Sequence, residues 1–264
     1  MSRQISSISR FGLTEPFELQ VARGQISGHN VQFKFGNNPS VGNTEETIWT
    51  QGGIYSYPPS ASTMTLSSSS ADDSASGTGA RTVSVSGLDA NYNEISETVT
   101  LNGQTPVSTT QSFLRVFRMV VLTAGSSGGN AGIIYTGTGT VTAGVPTNIY
   151  AIIDGVKDNQ TLMMVWTVPA GYTAYLYQAH MSTGNSSSTP TVLNARIVAR
   201  PYGGVFNTKA TGAINDGTLA QSYSFPLPFE EKTDIEIRAI SSSGSVTFNV
   251  SASCEFIYIK NGAL

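Results

Sequence analysis

Ala80–Gly103 reads ARTVSVSGLDANYNEISETVTLNG, and its alternation decides the fold class. Val83 and Val85 alternate with Thr82, Ser84 and Ser86. Further on, Ile95, Glu97, Val99 and Leu101 share one parity while Ser96, Thr98 and Thr100 share the other. Side chains on a strand point to opposite faces in turn, so each run offers one apolar and one polar face. The intervening LDANYNE is rich in Asp and Asn, which bond their own backbone and tolerate left-handed geometry. The stretch is expected to be a β-hairpin with a long polar loop.

The same texture extends in both directions. Toward the N-terminus, Met64 and Leu66 alternate with Thr63, Thr65 and Ser67, and Pro58-Pro59 marks an edge or entry turn because proline cannot donate to a ladder. Toward the C-terminus, Val107–Gly125 is predicted to be one strand covered on both sides, since its β-branched and aromatic content outweighs a helical reading. Gly132–Ala143 reads as a short strand pair, and Gly144–Asn159, with Pro146, Asp154-Gly155 and Asp158-Asn159, as a seam. Thr161–Gln178 reads as a second hairpin turning at Pro169-Ala170-Gly171. Strands follow at Thr191–Pro201 and Thr233–Ile240, with Phe225–Phe229 as an extended connection. Val246–Tyr258 alternates longest, with Val246, Phe248, Val250, Ala252, Cys254, Phe256 and Tyr258 inward.

Strands of this kind without intervening helices define an all-β protein. The expectation is two antiparallel β-sandwich or jelly-roll-like units, 46–155 and 156–264, preceded by an extended N-terminal arm, 1–45. In the arm, Phe11, Leu13, Phe17, Leu19 and Val21 are large apolar residues spaced along a stretch too apolar-poor to make its own core. They need a surface to cover them and are the candidate assembly residues.

Composition narrows the function. Of 264 residues only 12% are charged, about half the usual share, with Ser, Thr, Asn and Gly filling the polar complement. The net charge is −3 and no Lys/Arg block occurs, so nucleic acid is not an expected partner. No apolar run reaches the length of a membrane span, and MSRQISSISRFG lacks the apolar core of a secretory signal. A single cysteine, Cys254, leaves stability to packing and ladder hydrogen bonds.

The catalytic inventory is thin, and no cofactor or metal is expected. His29 reads as a solvated turn residue and His180 as a strand-end residue, while strand parity buries Cys254 where a thiolate is disfavoured. Asp89, Asn91, Asn93 and Glu94 resemble the start of a Ca²⁺ loop but lack its glycine and distant glutamate, so Asx turns explain them. Asp72, Asp73, Asp89, Glu94 and Glu97 are the acids from which a glycosidase pair would be drawn. Arg115, Arg118, Arg196, Arg200 and Arg238 are expected to pair with Glu230, Glu231, Asp234 and Glu236 across strands, for about 0.2–1 kcal/mol each. Tyr55, Tyr57, Tyr172, Tyr175 and Tyr177 could form a carbohydrate-binding face, though packing is the simpler role.

Six blocks, in order, carry a resemblance: EPFELQVARGQISGH, E-x-IW-x-x-GG-x-Y-x-Y-P, ADDSASGTGARTVSVSGLDANYNEISETVTLNG, FLRVFRMVVLTAGSSGGNAG, NQTLMMVWTVPAGYTAYL and EKTDIEIRA. Together they span nearly the whole chain and resemble a family of virion structural proteins of short-tailed bacteriophages that infect aquatic bacteria. The resemblance implies a structural component of the particle with no catalytic residues. The expected role is a capsid decoration or cement protein, docking on the shell through the arm and the first unit. A neck, tail or baseplate component and a receptor- or glycan-binding module are the alternatives. The implied partners are other virion proteins and further copies of this chain, in a virion assembled in a host cytoplasm.

Overall fold

The computed structural model describes residues 15–155, 158–184 and 191–263. Over these residues the protein is all-β, with several antiparallel sheets. The chain opens with a short helix, α1 (Phe17–Ala22), then β1 (His29–Val41) and β2 (Glu46–Thr47). Next come β3 (Ser62–Ser68), β4 (Ala80–Leu88), β5 (Glu94–Thr100), β6 (Val107–Phe113), β7 (Arg115–Ala124), β8 (Ile134–Thr142) and β9 (Val145–Ile153). After these come β10 (Val165–Thr167), β11 (Tyr172–Gly184), β12 (Leu193–Arg200), β13 (Asn207–Ile214), β14 (Gly217–Phe229), β15 (Asp234–Ser241) and β16 (Phe248–Lys260).

Strands β3 to β9 form two sheets, ordered β6-β3-β8-β9 and β5-β4-β7. Met64, Leu66, Val83, Val85, Phe113, Met119 and Ile153 fill one core between them. The sheets approach at both edges, β5 beside β6 and β7 beside β9, which closes the sandwich toward a flattened barrel. The other pair is β1-β16-β11-β14 facing β10-β15-β12-β13, with β2 on the β10 side of β15. Here Trp166 of β10 lies fully buried, its ring 5.0 Å from Phe256 and 5.6 Å from Tyr258 of the opposite sheet.

The opening hairpin forms as expected: β4 and β5 pair from Thr82↔Thr100 to Leu88↔Glu94 around the Asp89–Asn93 loop. The alternation of β16 also holds, with Phe248, Val250, Ala252, Cys254, Phe256 and Tyr258 all buried.

Partner choice departs from expectation in several places. Val107–Gly125 divides at Leu114 into β6 and β7, which join different sheets. The turn at Pro169–Gly171 likewise joins β10 to β11 across the sandwich, so this is an arch and not a hairpin. Within the supposed seam, Val145–Ile153 is a ladder strand, joined to β8 by a tight turn with positive φ at Ala143 and Gly144. Two strands were not foreseen: β13, and β14, which takes in the Phe225–Phe229 stretch read as an extended connection.

The N-terminal region also differs. Phe17, Leu19 and Val21 lie on α1, not on an extended strand. Pro16 stands just ahead of the first helical residue, Glu18 falls in the first turn, and Phe17 and Val21 have the i, i+4 spacing that brings side chains together on a helix. Residues 29–41 are not an arm: β1 is laddered along β16 from His29↔Ile259 to Val41↔Phe248. A Cβ at Gly36 would come within 2.4 Å of the Met164 nitrogen and 2.5 Å of the Ile48 oxygen, so this strand is backed directly by main chain. Because β1 and β2 belong to the β10–β16 sandwich, the β3–β9 sandwich is inserted between β2 and β10. The outgoing and returning segments run side by side, with a Trp49↔Met163 bridge and the Met164 amide donating to the Ile48 carbonyl at 2.8 Å.

Lys34 of β1 joins the two sandwiches. Its buried ammonium donates to the Phe117 carbonyl of β7 at 2.6 Å. Burial first, and repulsion from Arg118 second, pull its pKa from 10.5 down to about 7. Between these values the unfolded chain holds a proton that the folded chain has released. Stability therefore rises with pH across that window, by up to about 1.4 kcal/mol per unit, and the gain is lost as pH falls to 7. Guanidinium unfolding at pH 7 and 9.5 should show this rise in the native sequence and a flatter response in Lys34→Met. Equal slopes would remove Lys34 as its source.

Candidate functional site

Two surfaces stand out. The first is β1 itself, whose polarity is inverted. Its inward parity carries Gln32, Lys34, Gly36 and Asn38, and its outward parity carries His29, Val31, Phe33 and Phe35. Val31 and Phe33 are 46% and 52% exposed. The α1 helix lies on this outward face, with Phe17 edge-on to His29 at 6.0 Å between ring centroids. Of the candidate assembly residues, Phe17 and Leu19 are exposed and Val21 is buried; Phe11 and Leu13 lie outside the described residues. The other side of β1 pairs with no strand among the described residues, and only its Asn37 amide meets a backbone partner there, the Leu162 carbonyl at 3.4 Å, so a ladder edge without a strand partner adjoins the apolar stripe.

The second surface is a cleft where the sandwiches meet. At its base the buried Asp234 of β15 accepts from Arg115 Nε at 2.8 Å and Nη2 at 3.1 Å. It also accepts from Arg200 Nε at 3.0 Å and Nη2 at 2.6 Å, and from Thr167 Oγ1 at 2.6 Å. Arg115 comes from the inserted sandwich; Arg200, Thr167 and Asp234 come from the other. Burial alone would lower the Arg115 pKa, but its bonds and attraction to Asp234 raise it above the usual value. The Arg115 and Arg200 guanidiniums also lie 4.8 and 4.6 Å from the Tyr57 ring. Beside them Glu236 accepts from Arg238 Nε at 2.9 Å and Thr47 Oγ1 at 2.8 Å.

The expected cross-strand pairing is therefore present for Arg115 and Arg200, but in a buried cluster rather than on a solvated face; Arg238 pairs with Glu236 along its own strand, and Arg118 bonds Gln160. Arg196 pairs instead with Glu45.

The acids singled out from sequence do not converge on one site. Asp73 is buried and accepts from Ser68 Oγ at 2.6 Å and from the Ala80, Ala131 and Gly132 amides at 2.7–2.9 Å, stapling three loop segments. Asp89 accepts from the Asn91 and Asn93 amides at 2.8 and 2.9 Å, an Asx-type loop closure. Glu97 accepts from the Thr110 and Gln111 amides. Glu94 faces the Tyr258 hydroxyl at 3.4 Å, and burial raises its pKa. Among the described residues no group of three or more His, Cys, Asp or Glu is placed to hold a metal. No helix among them is long and apolar enough to cross a membrane.

His180 lies within β11 rather than at its end. Burial pushes the Cys254 thiol far above its usual pKa. Tyr55 is buried and Tyr57 half-buried at the junction, while Tyr172 packs edge-on against Tyr258 at 5.3 Å, so the five tyrosines form no common face. Three rings line the cleft: Tyr57, which is among those five, and Tyr92 and Tyr202, which are not. Of the latter two, one is in a loop read only for its Asx chemistry, and the other in a Gly-Gly turn.

No protein family and no curated protein matches this chain. Among solved structures it is similar to infectious bursal disease virus of the Gx strain, with 12% identity, 94% of this chain and 77% of that one covered, and a TM-score of 0.25. The Gt strain gives 12%, 95%, 79% and 0.23, and the VP2 subviral particle of that virus 11%, 90%, 78% and 0.21. These scores lie below the level at which a likeness bears on role.

Removing the buried carboxylate leaves two guanidiniums sharing no anion. Asp234→Ala is expected to cost about 3–5 kcal/mol, seen as a lower denaturant midpoint. Arg200→Ala should cost less, because that guanidinium reaches water. Unchanged midpoints in both would show that this cluster does not hold the junction.

Proposed function

We propose that this chain is a non-enzymatic structural protein of a tailed-phage virion, a decoration or cement subunit attached to the capsid shell. The six-block resemblance across the chain supports the virion assignment. The observation that carries the attachment is the inverted polarity of β1. A strand normally turns its apolar parity inward; here Val31 and Phe33 face outward beside Phe17 and Leu19, next to a ladder edge without a strand partner among the described residues. Such a face fits burial against a neighbouring subunit.

This reading changes one detail of the sequence expectation. The docking segment is laddered to β16, so the β10–β16 sandwich, and not the inserted one, lies against the shell. Its partners in this reading are other virion proteins and further copies of the chain, and its place is the virion.

Mass spectrometry of purified particles should recover the chain at fixed stoichiometry, and a reconstruction should place it on the outer shell. Removing residues 1–27, which spares β1, and separately replacing Val31→Ser with Phe33→Ser, should each abolish co-sedimentation with particles while circular dichroism and melting stay native-like. Density confined to a neck or tail ring would replace the decoration role. Absence from particles would end the virion reading, and undiminished co-sedimentation of both variants would discard this docking face.

A further inference from the structure

The cleft above Asp234 has features that holding the sandwiches together does not require. It encloses about 420 Å³, within the range of about 300–1,000 Å³ typical of small-ligand sites. Three cations line it, Arg115, Arg200 and Lys232, against one carboxylate, Asp234, which already serves both arginines. Of the neighbouring acids, Glu236 is engaged by Arg238 and Thr47, and Glu231 by the Gly171 amide. Lys232 Nζ has no carboxylate partner among the described residues, and Arg200 Nη1 has no hydrogen-bond acceptor among them. The Lys232 ammonium instead sits 5.7 Å from the Tyr92 ring centre and 5.3 Å from that of Tyr202. Such contacts are worth about 0.5–1 kcal/mol at exposed sites and leave the charge in place.

Backbone strain gathers here as well. Tyr92 and Lys232 have φ of 64° and 60°, the left-handed region that side chains other than Gly, Asn and Asp seldom enter. Each such residue costs on the order of 1 kcal/mol or more and persists only where surrounding structure enforces it. Two separate loops are thus held in unfavourable conformations that bring a ring and an ammonium to the same cleft. Tyr202, 69% exposed, stands edge-on to Tyr92 at 5.8 Å and presents an aromatic face to solvent.

We infer that this cleft binds an acidic saccharide, a pyranose ring bearing a carboxylate. The carboxylate meets Lys232 Nζ and Arg200 Nη1, and the C–H face of the ring stacks on Tyr202. A neutral sugar leaves the cations unmatched, and a bare anion leaves the aromatic face unused. The inference does not rest on the virion reading, since the cleft and the β1 stripe share no residue.

Calorimetric titration of the full chain with a galacturonate trisaccharide tests it. Saturable binding is expected with a Kd of about 0.1–1 mM, and maltotriose and acetate should bind at least about tenfold more weakly. Lys232→Asn keeps a residue that tolerates positive φ while removing the charge, and Tyr202→Ala removes a largely exposed ring. Each should weaken binding about fivefold or more with melting unchanged. If Lys232→Asn misfolds, the surface variant decides alone. The inference is overturned by no saturation at about 10 mM. Equal affinity for maltotriose, acetate or a tetraglutamate peptide would overturn it too, as would native affinity in folded Tyr202→Ala.

Discussion

A carboxylate with almost no access to water must have its charge met by the protein, and Asp234 meets that demand from both sandwiches at once. Arg115 reaches it from β7, Arg200 from β12, and Thr167 from β10. Moving the inserted sandwich away would strip one guanidinium from the carboxylate and expose neither ion well enough to compensate. Buried ion pairs need not stabilise relative to an apolar core, but they penalise misassembly severely, because each partner left behind is an unpaired charge. The cluster therefore specifies how the two sandwiches sit more than it strengthens either one.

The insertion makes such a specifier necessary. A sandwich entered and left through adjacent segments, at Trp49 and Met163, is tethered at one end only. Further ties are set around that tether: the Lys34 ammonium to the Phe117 carbonyl, and the Tyr55 amide to the Thr47 hydroxyl at 3.0 Å. Both are polar and directional. This accounts for the polar inward parity of β1, whose Lys34 faces the junction rather than a hydrocarbon core. With those positions given to polar contacts, the apolar residues of the strand occupy the outward parity.

Period-two patterning made the strands legible because burial on one face writes itself into every second residue; β4, β5 and β16 follow it closely. Partner identity leaves no such trace. Met163 to Leu176 alternates in the same way whether the Pro169–Gly171 turn closes a hairpin or arches between sheets. The same ambiguity joined β6 to β7 on paper, and it hid β13 and β14, whose residues are mostly exposed and carry little apolar signal. In α1, six residues are too few for a spacing of two to be told from one of four. Of the site, the pairing of Arg115, Arg200 and Arg238 with acids could be foreseen, since oppositely charged residues on strands find one another. Their convergence could not, because 119 positions separate Arg115 from Asp234 and only the insertion brings them together.

That same long-range closure explains why a cleft forms at this place. Two sandwiches joined along one side leave a cleft at the seam, and the segments bordering it, around Tyr92, Tyr202 and Lys232, come from both. A single carboxylate suffices to fix the joint, yet three cations line the seam. If the joint were the only requirement, Lys232 could lie in a relaxed conformation directed at solvent, and Tyr92 could occupy the ordinary right-handed region. Both are instead held at positive φ and packed around one another, one from each sandwich. The excess of positive charge and the strain coincide at a surface whose shape depends on the two sandwiches being correctly joined. Any ligand that meets that charge would bind the joined state alone, and would stabilise the junction by the free energy of its own binding.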